Sequence, residues 1–300
     1  MSLRDTPWAD PAVLSMRVAE WIGLHVPRPI GLRAAEWFLA ARYRRLESER
    51  STVAANLSQV LGSPADSQLV RAATREAFAL YGRYWFETFA LRAMPWDEVE
   101  RRFKVEGVEW IDAGLEAGRG VILALPHMGN WDAAGHWLAL RGYPIVAVAE
   151  ELKPAAVFDL FYRHRRALGM DIVPLGAGER LGERLVRKLS QNRVLALLAD
   201  RNLTGRGTTV EVFGRAMSLP AGPAFLSMVT GAPLLPSAVF TTEQGWHCRV
   251  ERPLAIERTG DTSADVRAAT QALARRFERF IAEAPADWHL FQPAWNGMAP

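Results

Sequence analysis

Residues 120–137 read GVILALPHMGNWDAAGHW, and this stretch decides the fold. A continuous apolar run, Val121 to Leu125, is bounded by Gly120 and Pro126. A run this short, flanked by a glycine and a proline, fits a strand buried on both faces. Proline has no N–H to give to a sheet ladder, so the strand should end there. His127 follows at once, and Asp132 opens a segment with helical spacing. A strand, a short loop and a helix would put His127 at the carboxyl end of a strand. Ligands of open α/β sheets bind at that end.

The same pattern recurs outward from this stretch. Strands are expected at Gly120–Leu125, Pro144–Ala149, Asp171–Pro174, Val194–Ala199, Leu234–Phe240 and His247–Val250. Helices are expected between and after them at Asp132–Arg141, Pro154–Leu168, Glu179–Gln191, Gly222–Gly231 and Ala264–Ala284. Alternating β and α units imply an α/β fold with a mainly parallel central sheet flanked by helices. TTEQGWH, before the last strand, looks like a hairpin, so the sheet should be mixed. No internal repeat or low-complexity linker appears.

The first hundred residues differ. Asp10 is a plausible N-cap, with Pro11 at the first helical position. PRPIGLRAAEWFLAARYRRLESER reads as one amphipathic helix, followed by helices in STVAANLSQVLG and DSQLVRAATREAFALYGRYWFETFAL. The last places Phe78, Tyr81, Tyr84, Trp85 and Phe89 on roughly one side. Such helices fit an ordinary bundle, and also a surface that lies on a membrane; the two are compatible. One domain over residues 1–300 is expected, helical over about 10–100 and α/β over about 103–295.

Composition bounds the function. Hydrophobic residues make up 49% of the 300, enough for a sizeable core. The single cysteine, Cys248, excludes a disulfide framework within the chain and a cysteine-rich zinc site. No stretch reads as a signal peptide or as a run of about 18 apolar residues, so no spanning helix is expected. Between Leu160 and Arg206 ten basic residues face four acidic ones. Three lysines against 33 arginines favour planar, phosphate-matching donors, although codon bias gives the same excess. The clustering points to an anionic partner such as a phospholipid headgroup. No aromatic and arginine platform for nucleic acid stands out.

The residues directly after the apolar runs are the candidates for chemistry. Glu150, with Glu151 beside it, ends one run; Asp200, then Arg201, ends another. If these strands are neighbours, a histidine and an acid meet on one rim. A histidine accepts and returns a proton near neutral pH, provided a carboxylate fixes its tautomer. Asp132 and Asp200 are both candidates for that carboxylate; Asp132 also suits a helix N-cap. A plain loop histidine beside a cap is the ordinary alternative. No Gly-x-Ser-x-Gly elbow exists. A metal held by His127, Asp132 and His136 would need the loop to fold back, so no metal site is expected. PLGAGERLG offers either a phosphate cradle or a plain turn.

His-x4-Asp directly after an apolar strand resembles the glycerophospholipid and lysophospholipid acyltransferase superfamily. LPHMGNWDAAG, ADRNLTGRGTTVEVFG and LPAGPAFLSMVTGAPLLP resemble the branch with the lipid A acyltransferases, over roughly residues 10–295. AVAEELKP and PADWHLFQPAW are most similar to actinobacterial phosphatidylinositol mannoside acyltransferases. The resemblance implies acyl-CoA as donor, no further cofactor, and a phosphatidylinositol mannoside or related glycolipid as acceptor. It implies His127 as general base, Asp132 as motif acid and Asp200 as the orienting acid, where glutamate is typical. Glu150 and Arg165 match polar positions at the rim, and Arg201 is a further candidate for phosphate or sugar. Backbone amides around Met128–Asn130, or Arg165, would stabilise the oxyanion. Ala133, Ala134, Leu138 and Phe225 would line an acyl slot or serve as plain core. Charged amphipathic helices in place of the branch's usual spanning helix suit peripheral attachment to the cytoplasmic face of the cell membrane, an anionic surface. A lipid A-type, other glycolipid or lysophospholipid acyltransferase, a non-catalytic lipid-binding protein and a thioester or lipid hydrolase are the alternatives.

Overall fold

Strand β2, Val121–Leu125, is buried along its whole length, as its unbroken apolar run requires. Its alternate side chains enter two cores. Ile122 and Ala124 join one cluster, and Val121, Leu123 and Leu125 the other. The computed structural model describes residues 11–295, apart from 177–179, 204 and 206.

The chain begins with helices α1 (Pro11–His25), α2 (Arg28–Tyr43), α3 (Glu47–Leu61), α4 (Gln68–Ala90) and α5 (Trp96–Arg102). β1 (Phe103–Glu106) and α6 (Val108–Glu116) precede β2. Then come α7 (Trp131–Leu140), β3 (Ile145–Ala149), α8 (Ala155–Ala167), β4 (Asp171–Pro174), α9 (Leu181–Ser190) and β5 (Val194–Leu198). A hairpin of β6 (Gly207–Val212) and β7 (Arg215–Pro220) follows, then α10 (Gly222–Thr230), β8 (Leu234–Thr241), β9 (Trp246–Val250) and α11 (Thr262–Glu283).

The main sheet has seven strands in the order β1-β9-β8-β2-β5-β3-β4. Every neighbouring pair is parallel except β8–β9. The mixed, mainly parallel sheet is therefore the expected one, and each expected strand and helix of the α/β part lies within two residues of its place. β1, α5 and α6 were not anticipated; β1 has only four residues, too few to show a period. The β6–β7 hairpin was also missed. It turns on Phe213 and Gly214, both left-handed at φ 49° and 73°. Phe-Gly lacks the asparagine or aspartate that usually marks this turn.

The N-terminal helices differ from expectation at one point. The long helix through RRLESER breaks after Tyr43, and its last residues start α3 at Glu47. Asp10, the expected N-cap, lies outside the described residues. In α4 the predicted aromatic side forms: Trp85 touches Tyr81, Tyr84 and Phe89. α2 lies so close to α4 that a Cβ on Gly31 would fall 2.0 Å from the Phe86 ring. A buried charge locks that contact. Glu87, 1% exposed, accepts from Arg28 at 2.6 Å, Arg83 at 2.9 Å and the Trp246 indole at 2.9 Å. One carboxylate thus ties α2, α4 and β9 together. Arg28→Ala removes one charge-assisted bond and leaves the other two. It should cost about 1.5–3 kcal/mol. An unchanged urea midpoint would show that Arg28 contributes nothing.

Candidate active site

Register brings His127 to Asp200. β2 and β5 are parallel neighbours with Leu125 paired to Leu198, so the residues two beyond each pair also face each other. The Ala199 amide still donates to the Leu125 carbonyl at 2.8 Å. His127 Nδ1 then lies 2.5 Å from Asp200 Oδ1, and the His127 amide donates to Oδ2 at 3.0 Å. The Trp288 indole donates to the same Oδ2 at 2.8 Å. A carboxylate only accepts, so this contact places the ring proton on Nδ1 and leaves the lone pair on Nε2. Asp200 is 2% exposed. Burial opposes its charge, but His127 and the donated hydrogen bonds prevail and hold its carboxyl below the usual range. Gly129 makes the loop possible. Its φ is +56°, and a Cβ there would meet the Val239 carbonyl at 2.3 Å.

Asp132 does not touch this pair. Arg165 of α8 donates to its two oxygens at 2.7 and 3.2 Å, and the Tyr84 hydroxyl donates at 3.0 Å. Burial raises the Asp132 carboxyl, but Arg165, His164 and the Tyr84 hydroxyl together hold it below the usual range. Of the two acids weighed for orienting His127, the geometry selects Asp200. Nor does Asp132 cap the helix: Asn130 does, accepting from the Ala133 amide at 2.9 Å. Arg165 is engaged twice with Asp132 rather than held open at the rim. Two of the amides expected for an oxyanion are also engaged, Met128 with the Pro126 carbonyl and Gly129 with the Asp287 carbonyl. Arg201 donates to Gln292 at 2.7 Å and lies 4.0 Å from Glu150, an exposed acid on the next strand end.

His289 was not singled out from the sequence, although PADWHLFQPAW contains it. The C-terminal segment runs back beside the His127 loop, bridging Met128 to Trp288, and the His289 amide donates to the His127 carbonyl at 2.7 Å. Its ring sits among Tyr81, Tyr84 and Trp131, with neither nitrogen hydrogen-bonded. Tyr84 and Trp288 were missed for the same reason: only the tertiary fold brings α4 and the C-terminal segment here.

His136 bonds the Leu168 carbonyl through Nδ1 at 2.9 Å, so it does not converge with His127 and Asp132. Among the described residues, no three His, Cys, Asp or Glu side chains group as metal ligands. Residues 177–179, the middle of the PLGAGERLG turn, lie outside the described residues. An apolar cavity, which His127 itself does not line, has Trp131 in its wall, and the Trp131 indole meets the His127 ring edge-on at 5.3 Å. It runs between α7 and the sheet past Leu123, Leu125, Ala134, Leu138, Ala196 and Leu198 toward Cys248. Of the four residues named for a slot or plain core, Ala134 and Leu138 line it, Ala133 is buried in the core beside it, and Phe225 is 46% exposed on α10. The interior measures about 70 Å³, room for a few waters. A long chain fits only when the lining side chains move apart.

Three buried groups tie stability to pH. Burial, with His127 nearby, pushes His289 down to about 3, and burial pushes His164 down to about 4. Both stay neutral in the fold, while the unfolded chain takes up protons below the ordinary 6.5. Stability is therefore lost as pH falls from about 6.5 toward 4. Asp287, pushed up to about 6 by burial, acts the other way, because the folded chain takes its proton first. Two histidines outweigh one aspartate, so urea midpoints should be lower at about pH 4.5 than at about pH 7. His164→Leu should reduce the difference; an equal drop in that variant would contradict the assignment.

The mainly parallel sheet thus carries, at its carboxyl rim, a histidine hydrogen-bonded to a buried carboxylate, with an apolar cavity nearby. The chain belongs to the bacterial lipid A biosynthesis acyltransferase family, whose profile matches residues 12–296. It is 43% identical over 260 residues to a phosphatidylinositol mannoside acyltransferase of Mycolicibacterium smegmatis (strain ATCC 700084 / mc(2)155), covering 85% of this chain and 82% of that protein. A phosphatidylinositol mannoside acyltransferase of Mycobacterium tuberculosis (strain CDC 1551 / Oshkosh) is 40% identical over 282 residues, covering 92% of this chain and 86% of the relative. These likenesses support an acyltransferase.

Proposed function

We propose that the protein transfers a fatty acyl chain from acyl-CoA to a hydroxyl of a mannosylated phosphatidylinositol, with His127 as general base. The observation that carries this reading is the 2.5 Å contact between His127 Nδ1 and the buried Asp200. Nε2 takes the proton of the acceptor hydroxyl as its oxygen attacks the thioester carbonyl. The C–S bond then breaks, and the imidazolium returns the proton to the CoA thiolate. The thioester is already activated, so the reaction needs no covalent enzyme intermediate and no cofactor. The acyl chain enters the cavity at Trp131. Asp132 and Arg165 act together as one positioning pair, holding α8 against α7 beside the mouth. Glu150 and Arg201 lie on the rim, where a sugar or phosphate would sit. The helical and α/β regions act as one unit, because Tyr84 of α4 reaches Asp132.

The place of action in this reading is the inner membrane leaflet, with peripheral attachment. No helix of the described residues is long and apolar enough to cross a membrane. α1 and α2 instead leave Leu14, Val18, Trp21, Ile30, Trp37 and Phe38 exposed, Trp37 to 74%. Large apolar side chains beside arginines are what an interfacial helix needs. The purified protein should release CoA from palmitoyl-CoA only when a mannosylated phosphoinositide is present. Mass spectrometry should then find the acceptor heavier by one acyl group. Equal CoA release with and without acceptor would instead identify a hydrolase.

A further inference from the structure

A second cleft lies apart from the His127 cavity and shares no lining residue with it. Its interior is about 270 Å³, and it opens between α1, α8 and the turn after α4. Arg17 and Glu20 come from α1, Arg92 from the turn, and Arg163 and His164 from α8. Three guanidinium groups thus face one carboxylate, and that carboxylate accepts from Arg92 at 2.9 Å.

His164 is the second observation. Its side chain is 1% exposed and lines the cleft. The Thr88 carbonyl lies near the ring, but neither ring nitrogen meets a partner in hydrogen-bond geometry. A buried polar atom without a partner is costly, and native proteins rarely keep one without a use. Burial, with Arg165 and Arg92 adding to it against the pull of Asp132, disfavours a positive charge on the ring, so the imidazole is neutral and can give one N–H to a ligand. A neutral donor at the base of a cleft walled by arginines matches an anion with several acceptor oxygens.

We infer that the cleft of Arg17, Arg92, Arg163 and His164 binds a phosphate group, as the phosphodiester of an anionic lipid headgroup or as a free phosphate ester. Placement favours the lipid source. Leu14, Val18 and Trp21, the exposed apolar residues of α1, stand on the helix that supplies Arg17. A chain whose α1 rests on a membrane would bring the cleft to headgroup level. Arg163 and His164 also directly precede Arg165, which holds Asp132. The inference does not rest on acyl transfer and is read by binding alone.

The test uses the full chain with the double variant R17E/R163E, both exposed positions, against the charge-matched R267E/R275E on the exposed side of α11. Co-sedimentation with phosphatidylcholine vesicles, with or without phosphatidylinositol, reads the lipid source. Calorimetric titration with inositol 1-phosphate and with inorganic phosphate reads the free ester. R17E/R163E should weaken binding to phosphatidylinositol vesicles at least tenfold more than R267E/R275E does. His164→Leu, which keeps every arginine, should weaken it in the same direction. Loss confined to vesicles assigns the headgroup; equal loss with the soluble phosphates assigns a free ester. Equal binding by both double variants, or undiminished binding by His164→Leu, overturns the inference.

Discussion

His127→Ala should lower acyl transfer by about 10²–10⁴ while the protein stays folded, because the acceptor hydroxyl loses the base that takes its proton. Folding should survive, since Asp200 keeps two donors that do not come from the imidazole: the His127 amide at 3.0 Å and the Trp288 indole at 2.8 Å. Asp200→Asn is the sharper companion. An amide keeps the shape but can donate to Nδ1, which moves the ring proton to Nε2 and blocks the base. The expected loss is again about 10² or more, with little change in substrate binding. CoA release in single-turnover mixtures, with circular dichroism of each variant, checks both. Undiminished turnover by folded His127→Ala would remove the proposed base altogether.

Asp132→Ala should damage the protein by a different route. It leaves Arg165 paired with nothing of opposite charge in a largely buried place and removes the acceptor of the Tyr84 hydroxyl. Breaking a buried pair costs about 3–5 kcal/mol, and the 19% exposure of the Arg165 side chain puts this one near the lower end. Activity should fall as α8 loosens beside the cavity mouth. The pH dependence of the remaining turnover should match that of the parent, because Asp132 does not touch His127. Urea unfolding and a pH–rate profile test the two halves separately. A variant as stable as the parent, with a displaced pH profile, would return Asp132 to the proton-transfer machinery.

These two variants separate acids that look alike in the sequence. Asp132 stands five residues after His127 and Asp200 73 residues away; spacing left both open as its partner, and only the family resemblance pointed to Asp200. The nearer acid faces Arg165 because α7 turns it toward α8. The distant one meets His127 because β2 and β5 are paired in register. Strand ends were legible from local patterns, since an apolar run stopped by proline or by a charge needs no tertiary information. The strand ends thus singled out His127, Glu150 and Asp200, and the sheet order β2-β5-β3 then brought them to one rim.

Periodicity and chain breakers in the sequence were enough to determine the α/β alternation, the hairpin at the sheet's late end, the helical first third and a histidine at a strand's carboxyl end. These are short-range properties, set within a few residues by side-chain period and backbone freedom. Only the tertiary structure decided that Asp200 is the acid in contact with His127, that Arg165 pairs with Asp132, and that Tyr84, Trp288 and His289 gather around them. Each of those contacts joins segments far apart in the chain. Strand order and helix packing set them, and no local pattern encodes either.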